Sequence, residues 1–193
     1  MASIEINAEG QETIAQKTAP QTSDEPIIVP FKVVIDSREK NPYHFLGIKA
    51  DADQGCRPLL IPNEVATIKT GDYSIRGFES IVAVERKSKD DLYKTIGQER
   101  DRFEDEHRRL QSMGVAAVVI EATWDDLLKN PPQGSRLNPK TIYRTALSWS
   151  VKYGIPWHCV PGRRLGEITT FRILEKFWEY RDRISIGGIG GAR

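Results

Sequence analysis

Three residues of this chain could together do chemistry: Asp72 in Gly71-Asp72-Tyr73, and Glu85 and Lys87 in Val84-Glu85-Arg86-Lys87. Two carboxylates and a lysine brought to one place are the minimal set for holding Mg²⁺ against a phosphodiester and activating a water, because Mg²⁺ takes oxygen ligands and polarises what it touches. The elements that must assemble them can be read from the residues. Ile81-Val82-Ala83-Val84-Glu85-Arg86-Lys87 is apolar and β-branched and reads as a strand. Alternation along a strand puts Glu85 and Lys87 on one face and Arg86 on the other. Residues Ala66 to Ile75 read as a second strand, with Arg76 to Ser80 as the turn. A turn centred between Phe78 and Glu79 sets Asp72 opposite Glu85, with Lys87 one pleat away. The same Glu-Arg-Lys run also has the composition of a solvated strand edge with nearby counter-charges, so the spacing alone leaves both readings open.

Further pieces of sequence fall in order around these. Val33-Val34-Ile35-Asp36-Ser37-Arg38-Glu39 is an apolar strand ending in Asp-x-Arg-Glu. Gly71-Asp72-Tyr73 follows, then Val84-Glu85-Arg86-Lys87-Ser88, then Asp91-Leu92 four residues after the lysine, then Arg100 on the helical stretch beyond. This series resembles the nuclease domain of the XPF family of structure-specific DNA endonucleases, closely from Lys32 to Ala122 and more loosely to Arg183. The resemblance implies an α/β fold of the restriction-endonuclease-like group, a three-layer sandwich with a central mixed sheet flanked by helices. It implies that Asp72 and Glu85 bind the metal, with the backbone carbonyl of Arg86 as a further ligand. Lys87 would orient or deprotonate the attacking water, or neutralise charge on the scissile phosphate. Asp36 and Asp91 would complete the acidic surround, and Arg38, Glu39, Arg86 and Arg100 would support the site or contact DNA. Simpler roles stand beside these: Arg38 and Glu39 could pair with each other, and Asp91 could cap the helix beginning near Leu92. The implied cofactor is Mg²⁺, with Mn²⁺ able to substitute, and the implied substrate is DNA, branched or flapped.

Composition fits a single domain. The chain has 193 residues and a formal net charge of +1. The average hides an asymmetry: residues 1–26 carry Glu5, Glu9, Glu12, Asp24 and Glu25 against Lys17 alone, so the positive excess lies in the remainder. Phosphate binding needs that local excess rather than a global one. The expected organisation is a disordered acidic tail over 1–29, the nuclease domain over 30–184 and a flexible Gly-rich tail over 185–193. Cys56 and Cys159 lack metal-like spacing and read as free thiols, and His44, His107 and His158 form no ligand motif. No apolar run approaches the ~20 residues of a membrane span. The expected location is the cytoplasm of a bacterial or phage-infected cell, or the nucleus of a eukaryote.

The remaining elements follow from periodicity and punctuation. Residues 90–113 read as one helix with Leu92, Ile96, Phe103 and Leu110 on a face and Gly114 as its cap. Val115 to Glu121 is a continuous apolar run, the mark of a buried strand. Helices are expected over 124–129, from Asn138-Pro139 to about Lys152, and from Leu165 to Arg183, with a short strand at Trp157 to Val160. The last helix carries Phe171, Leu174 and Trp178 on one stripe and Ile173, Phe177 and Tyr180 beside it, an arc wider than one sheet face needs. A homodimer through part of this arc, with the helix beginning at Asn138, is the expected assembly. Many relatives continue into helix-hairpin-helix modules, which Ile186-Gly187-Gly188-Ile189-Gly190 does not supply. The expectation is therefore a stand-alone enzyme, or one whose extra DNA binding comes from a protein partner. The other function classes are a non-catalytic scaffold, against which the intact acids argue, and a general restriction or repair nuclease sharing only the fold.

Overall fold

Apolar runs that alternate with amphipathic stretches build a mixed sheet between two helical layers in the computed structural model, which describes residues 4–6, 12–14 and 25–184. The chain divides into two units, residues 1–27 with 47–60, and residues 28–46 with 61–193. In the first, Ile4–Ile6 pairs antiparallel with Glu12–Ile14. A 3₁₀ turn at Ala52–Gln54 in the same unit ends at Gly55 in the left-handed region. The expected disordered leader falls otherwise largely outside the described residues, as does the expected flexible tail over 185–193.

Among the described residues the second unit has a six-stranded sheet of β1 (Val33–Asp36), β2 (Asn63–Ala66), β3 (Tyr73–Ile75), β4 (Val82–Lys87), β5 (Val115–Ile120) and β6 (Trp157–Cys159). Their order is β6-β5-β4-β3-β1-β2. The pairs β6–β5, β5–β4 and β1–β2 are parallel, and β4–β3 and β3–β1 are antiparallel. Tyr73 stands opposite Val84, the register that the turn at Phe78 and Glu79 requires. The stretch expected as one strand from Ala66 to Ile75 is two: Asn63–Ala66 runs parallel to β1, and the chain loops over Gly71 before β3 begins.

Five helices cover the sheet: α1 (Lys89–Gln98), α2 (Arg100–Gln111), α3 (Trp124–Lys129), α4 (Pro139–Tyr153) and α5 (Gly162–Tyr180). Strand alternation sends Ala83, Val118 and Ile120 into a core with Leu92, Ile96, Phe103, Leu127, Ile142 and Trp149 from α1 to α4. The opposite face meets α5, whose Phe171, Leu174 and Phe177 are buried. Asn138 accepts the Lys140 N–H to cap α4, with Pro139 in the first turn as expected. The single helix expected over 90–113 is broken at Glu99, whose φ of −122° and ψ of 30° leave the helical region. Gly114 is not a left-handed cap. A Cβ there would stand 3.1 Å from Ile81 Cγ2, a tight contact that Ile81 would have to relieve by a few tenths of an ångström. No helix among the described residues is long and apolar enough to cross a membrane.

His107 is a packing residue, fully buried among Phe103, Trp149, Tyr153 and Trp157. Its Nδ1–H donates to the Phe103 carbonyl at 2.9 Å, and burial pushes its pKa down to about 4. The unfolded chain, with an ordinary histidine, takes up a proton first as the pH falls. Stability present above ~6.5 is therefore lost as the pH drops toward 4, by about 3 kcal/mol. The raised carboxyls of Asp72 and Glu85 act with the opposite sign, so the comparison must be with a variant. Urea unfolding between pH 7 and 4 is expected to show a shallower loss in His107→Leu than in the wild type. Parallel curves would contradict this.

Candidate active site

Gly71 is what lets Asp72 reach β4. Its φ is +74°, and a Cβ would lie 3.0 Å from Ala83 Cβ and 3.2 Å from the Val84 carbonyl oxygen, so a side chain fits neither the torsion nor the space. The Asp72 N–H then donates to Val84 O at 2.9 Å, and the Asp72 carboxylate accepts the Arg86 N–H at 2.7 Å. Glu85 is 6% exposed, and its Oε1 accepts a hydrogen bond from Lys87 Nζ at 2.5 Å. Burial, and then the Glu85 charge, hold the Asp72 carboxyl well above the usual range. Burial likewise raises Glu85, although Lys87 opposes it. Burial pulls the Lys87 ammonium down, but the charges of Glu85 and Asp72 prevail and leave it raised. Two buried carboxylates that repel each other beside one ammonium form a site short of positive charge.

One open cleft is lined by Asp36, Arg38, Glu39, Asp72, Glu85, Arg86, Lys87 and Asp91. Of the expected site residues only Arg100 is elsewhere: its Nη1 donates to Thr145 Oγ1 at 2.8 Å and its guanidinium lies over Trp149 on α4. The break at Glu99 accounts for this, because the phase of α1 does not carry into α2. Arg38 does not pair with Glu39. It grips the buried Asp36 through Nε (2.9 Å) and Nη2 (2.5 Å) and donates to Ile68 O. Asp36 in turn donates its N–H to the Asp72 carbonyl at 2.8 Å. Glu39 instead meets Arg86, at 3.3 Å. Asp91 is the third residue of α1 rather than its cap. Its N–H donates to Ser88 Oγ and its carboxylate accepts from the same hydroxyl, a reciprocal capping arrangement.

Sequence reasoning missed the wall contributed by α2. Arg102, Glu106 and Arg109 recur at i, i+4 and i+7 and line the cleft with Phe103. Glu106 accepts the Gly71 N–H at 3.2 Å, and Lys87 Nζ lies 5.1 Å from the Phe103 ring centre. That spacing was available in the sequence once the start of α2 is known. Lys40 and Lys69 line the same cleft and are exposed.

The donor set fits a hard cation. Among the described residues no three or more His, Cys, Asp or Glu side chains are arranged around a common metal position. Two carboxylates are nevertheless what Mg²⁺ commonly takes from a protein, keeping waters on its other positions. Asp72 and Glu85 would hold it.

A central six-strand mixed sheet flanked by helices matches the fold of XPF nucleases. The chain belongs to the ERCC4 domain family, whose model matches residues 35–165. Several solved structures are similar to it, among them two of one protein. XPF from Aeropyrum pernix is 18% identical with a TM-score of 0.54, over 82% of this chain and 75% of that chain. XPF from Aeropyrum pernix in complex with DNA is 18% identical with a TM-score of 0.55, over 83% and 76%. At that identity the likeness shows the fold. No curated protein matches the chain.

Proposed function

We propose that this protein is a Mg²⁺-dependent DNA endonuclease that hydrolyses phosphodiester bonds, at branched or flap structures in repair or recombination. The observation that carries the reading is the meeting of Asp72, Glu85 and Lys87 in one cleft that Lys40, Lys69, Arg102 and Arg109 also line. Membership of the ERCC4 family and a fold shared with an XPF in complex with DNA support it. Phosphate oxygens would be attracted by these cations.

Bound Mg²⁺ would neutralise charge on the phosphate and make water a better nucleophile. The chain's own residues do the rest. Asp72 and Glu85 bind, and Lys87 orients the water or the scissile phosphate. The water oxygen bonds to phosphorus, the bond to the departing deoxyribose oxygen breaks, and that oxygen leaves with a proton. A panel of labelled duplex, flap, fork and four-way-junction DNA tests the substrate. Preferential cutting of branched forms is expected, and equal cutting of plain duplex would leave a general nuclease.

The proposed assembly is a homodimer. Phe171, Leu174 and Phe177 are spent on the protein's own core, and Trp178 packs on Phe31 and Phe78. Exposed apolar side chains recur on α4 at Tyr143, Leu147 and Val151 (i, i+4 and i+8), with Val151 87% exposed, and Ile168 and Ile173 of α5 line an apolar groove. Tyr180 on α5 adds to it. Light scattering at micromolar concentration is expected to give about twice 21.8 kDa, reverting to one chain in Val151→Glu. A wild-type mass of one chain would contradict the assembly.

A further inference from the structure

Arg86 leaves the sheet on the face opposite Glu85 and Lys87. There Glu121 holds its guanidinium through Nε at 2.9 Å and Nη2 at 2.7 Å. The Tyr43 hydroxyl donates to the same carboxylate at 2.7 Å, and the Tyr43 N–H donates to the Tyr73 hydroxyl at 2.9 Å. The Glu121 N–H donates to the Lys87 carbonyl at 2.9 Å. Tyr43 and Glu121 thus grip both strands next to the acids: Tyr73 follows Asp72, and Arg86 follows Glu85. The strands are further tied by the Arg86 N–H on the Asp72 carboxylate.

We infer that Tyr43 and Glu121 are positioning residues, which fix from the reverse face of the sheet the separation of Asp72 and Glu85 that a divalent cation requires. The inference rests on the nuclease reading above. Neither residue is placed to touch DNA. Tyr43 has no exposed surface, and the Glu121 side chain is 9% exposed. Helix α5 is built around the phenol: a Cβ on Gly166 would run into the Tyr43 hydroxyl. Burial would raise the Glu121 carboxyl, but the bonds from Arg86 and Tyr43 overcome it and hold it below the usual range. A buried carboxylate and a buried hydroxyl persist only where they are paired in this way. Groups bonded directly to metal ligands commonly change affinity or rate by ~10–100-fold when removed, and Tyr43 and Glu121 act one residue further back.

The test uses Tyr43→Phe, which removes one hydroxyl, and Glu121→Gln, which keeps an acceptor for Arg86. Each full-length variant is compared with the wild type by calorimetric titration with Mn²⁺, by single-turnover cleavage, and by DNA binding in Ca²⁺. Mn²⁺ affinity and cleavage rate are each expected to fall by ~10-fold or more, with DNA affinity within about twofold of wild type. Wild-type Mn²⁺ affinity in a folded Tyr43→Phe overturns the inference. So does a loss of DNA affinity that matches the loss of rate. Should Glu121→Gln fail to fold, Tyr43→Phe decides. A wild type that binds Mn²⁺ and cuts no DNA sinks the nuclease reading, while the Mn²⁺ titration still decides the positioning role.

Discussion

Lys87→Ala is expected to fold and to lose cleavage by a factor of ~10² or more, the scale of one charge-stabilising or acid–base group. Lys87 is no metal ligand in this arrangement. Its ammonium is 2.5 Å from Glu85 and faces the cleft. Its removal leaves the β4–β5 ladder and the grip of Glu121 on Arg86 intact, so a cooperative thermal transition should remain. Single-turnover kinetics at saturating Mg²⁺ separate this from weakened substrate binding. A variant that cuts at near the wild-type rate would remove Lys87 from the mechanism.

The largest effect on stability is expected at Arg86. Its side chain is 7% exposed and holds two acids, Glu121 and Glu39, that are nearly as buried. Arg86→Ala would remove the close cation from both carboxylates, leaving Glu121 with the Tyr43 hydroxyl and Arg163 at 3.8 Å and Glu39 with the Asn41 N–H, and would take the cation from the face of Tyr43. Breaking a buried pair by removing one partner costs about 3–5 kcal/mol. Denaturant unfolding should show a loss of that order. Restoring part of it by the double change Arg86→Met with Glu121→Leu would confirm that the stranded charge is the cause. A loss below ~1 kcal/mol in Arg86→Ala would show that water reaches the pair and that it behaves as a surface bridge.

The facing of Asp72 and Glu85 was legible because it depends only on strand alternation and one short turn. The structure keeps that register, with Tyr73 opposite Val84. The capped start of α4 at Asn138-Pro139 was legible for the same reason, since both signals are local. Arg100 was not. The break at Glu99 carries no proline and no left-handed glycine, and only packing against α4 reveals where α2 points. The pairing of Arg38 with Asp36 rather than with Glu39 depends on Ile68 supplying a carbonyl from another loop. The bond between Tyr43 and Glu121 joins residues 78 apart. Nothing local marks either partner, so the layer behind the site is visible only once the sheet is assembled.

The central claim is that Asp72 and Glu85 hold a divalent cation against DNA. The most direct measurement is cleavage of labelled branched DNA in excess EDTA, repeated after adding Mg²⁺, Mn²⁺ or Ca²⁺. No cutting is expected in EDTA, with full activity returning in Mg²⁺ or Mn²⁺. Ca²⁺, with its looser coordination, should support binding without cutting. Undiminished cleavage in excess EDTA would contradict the account.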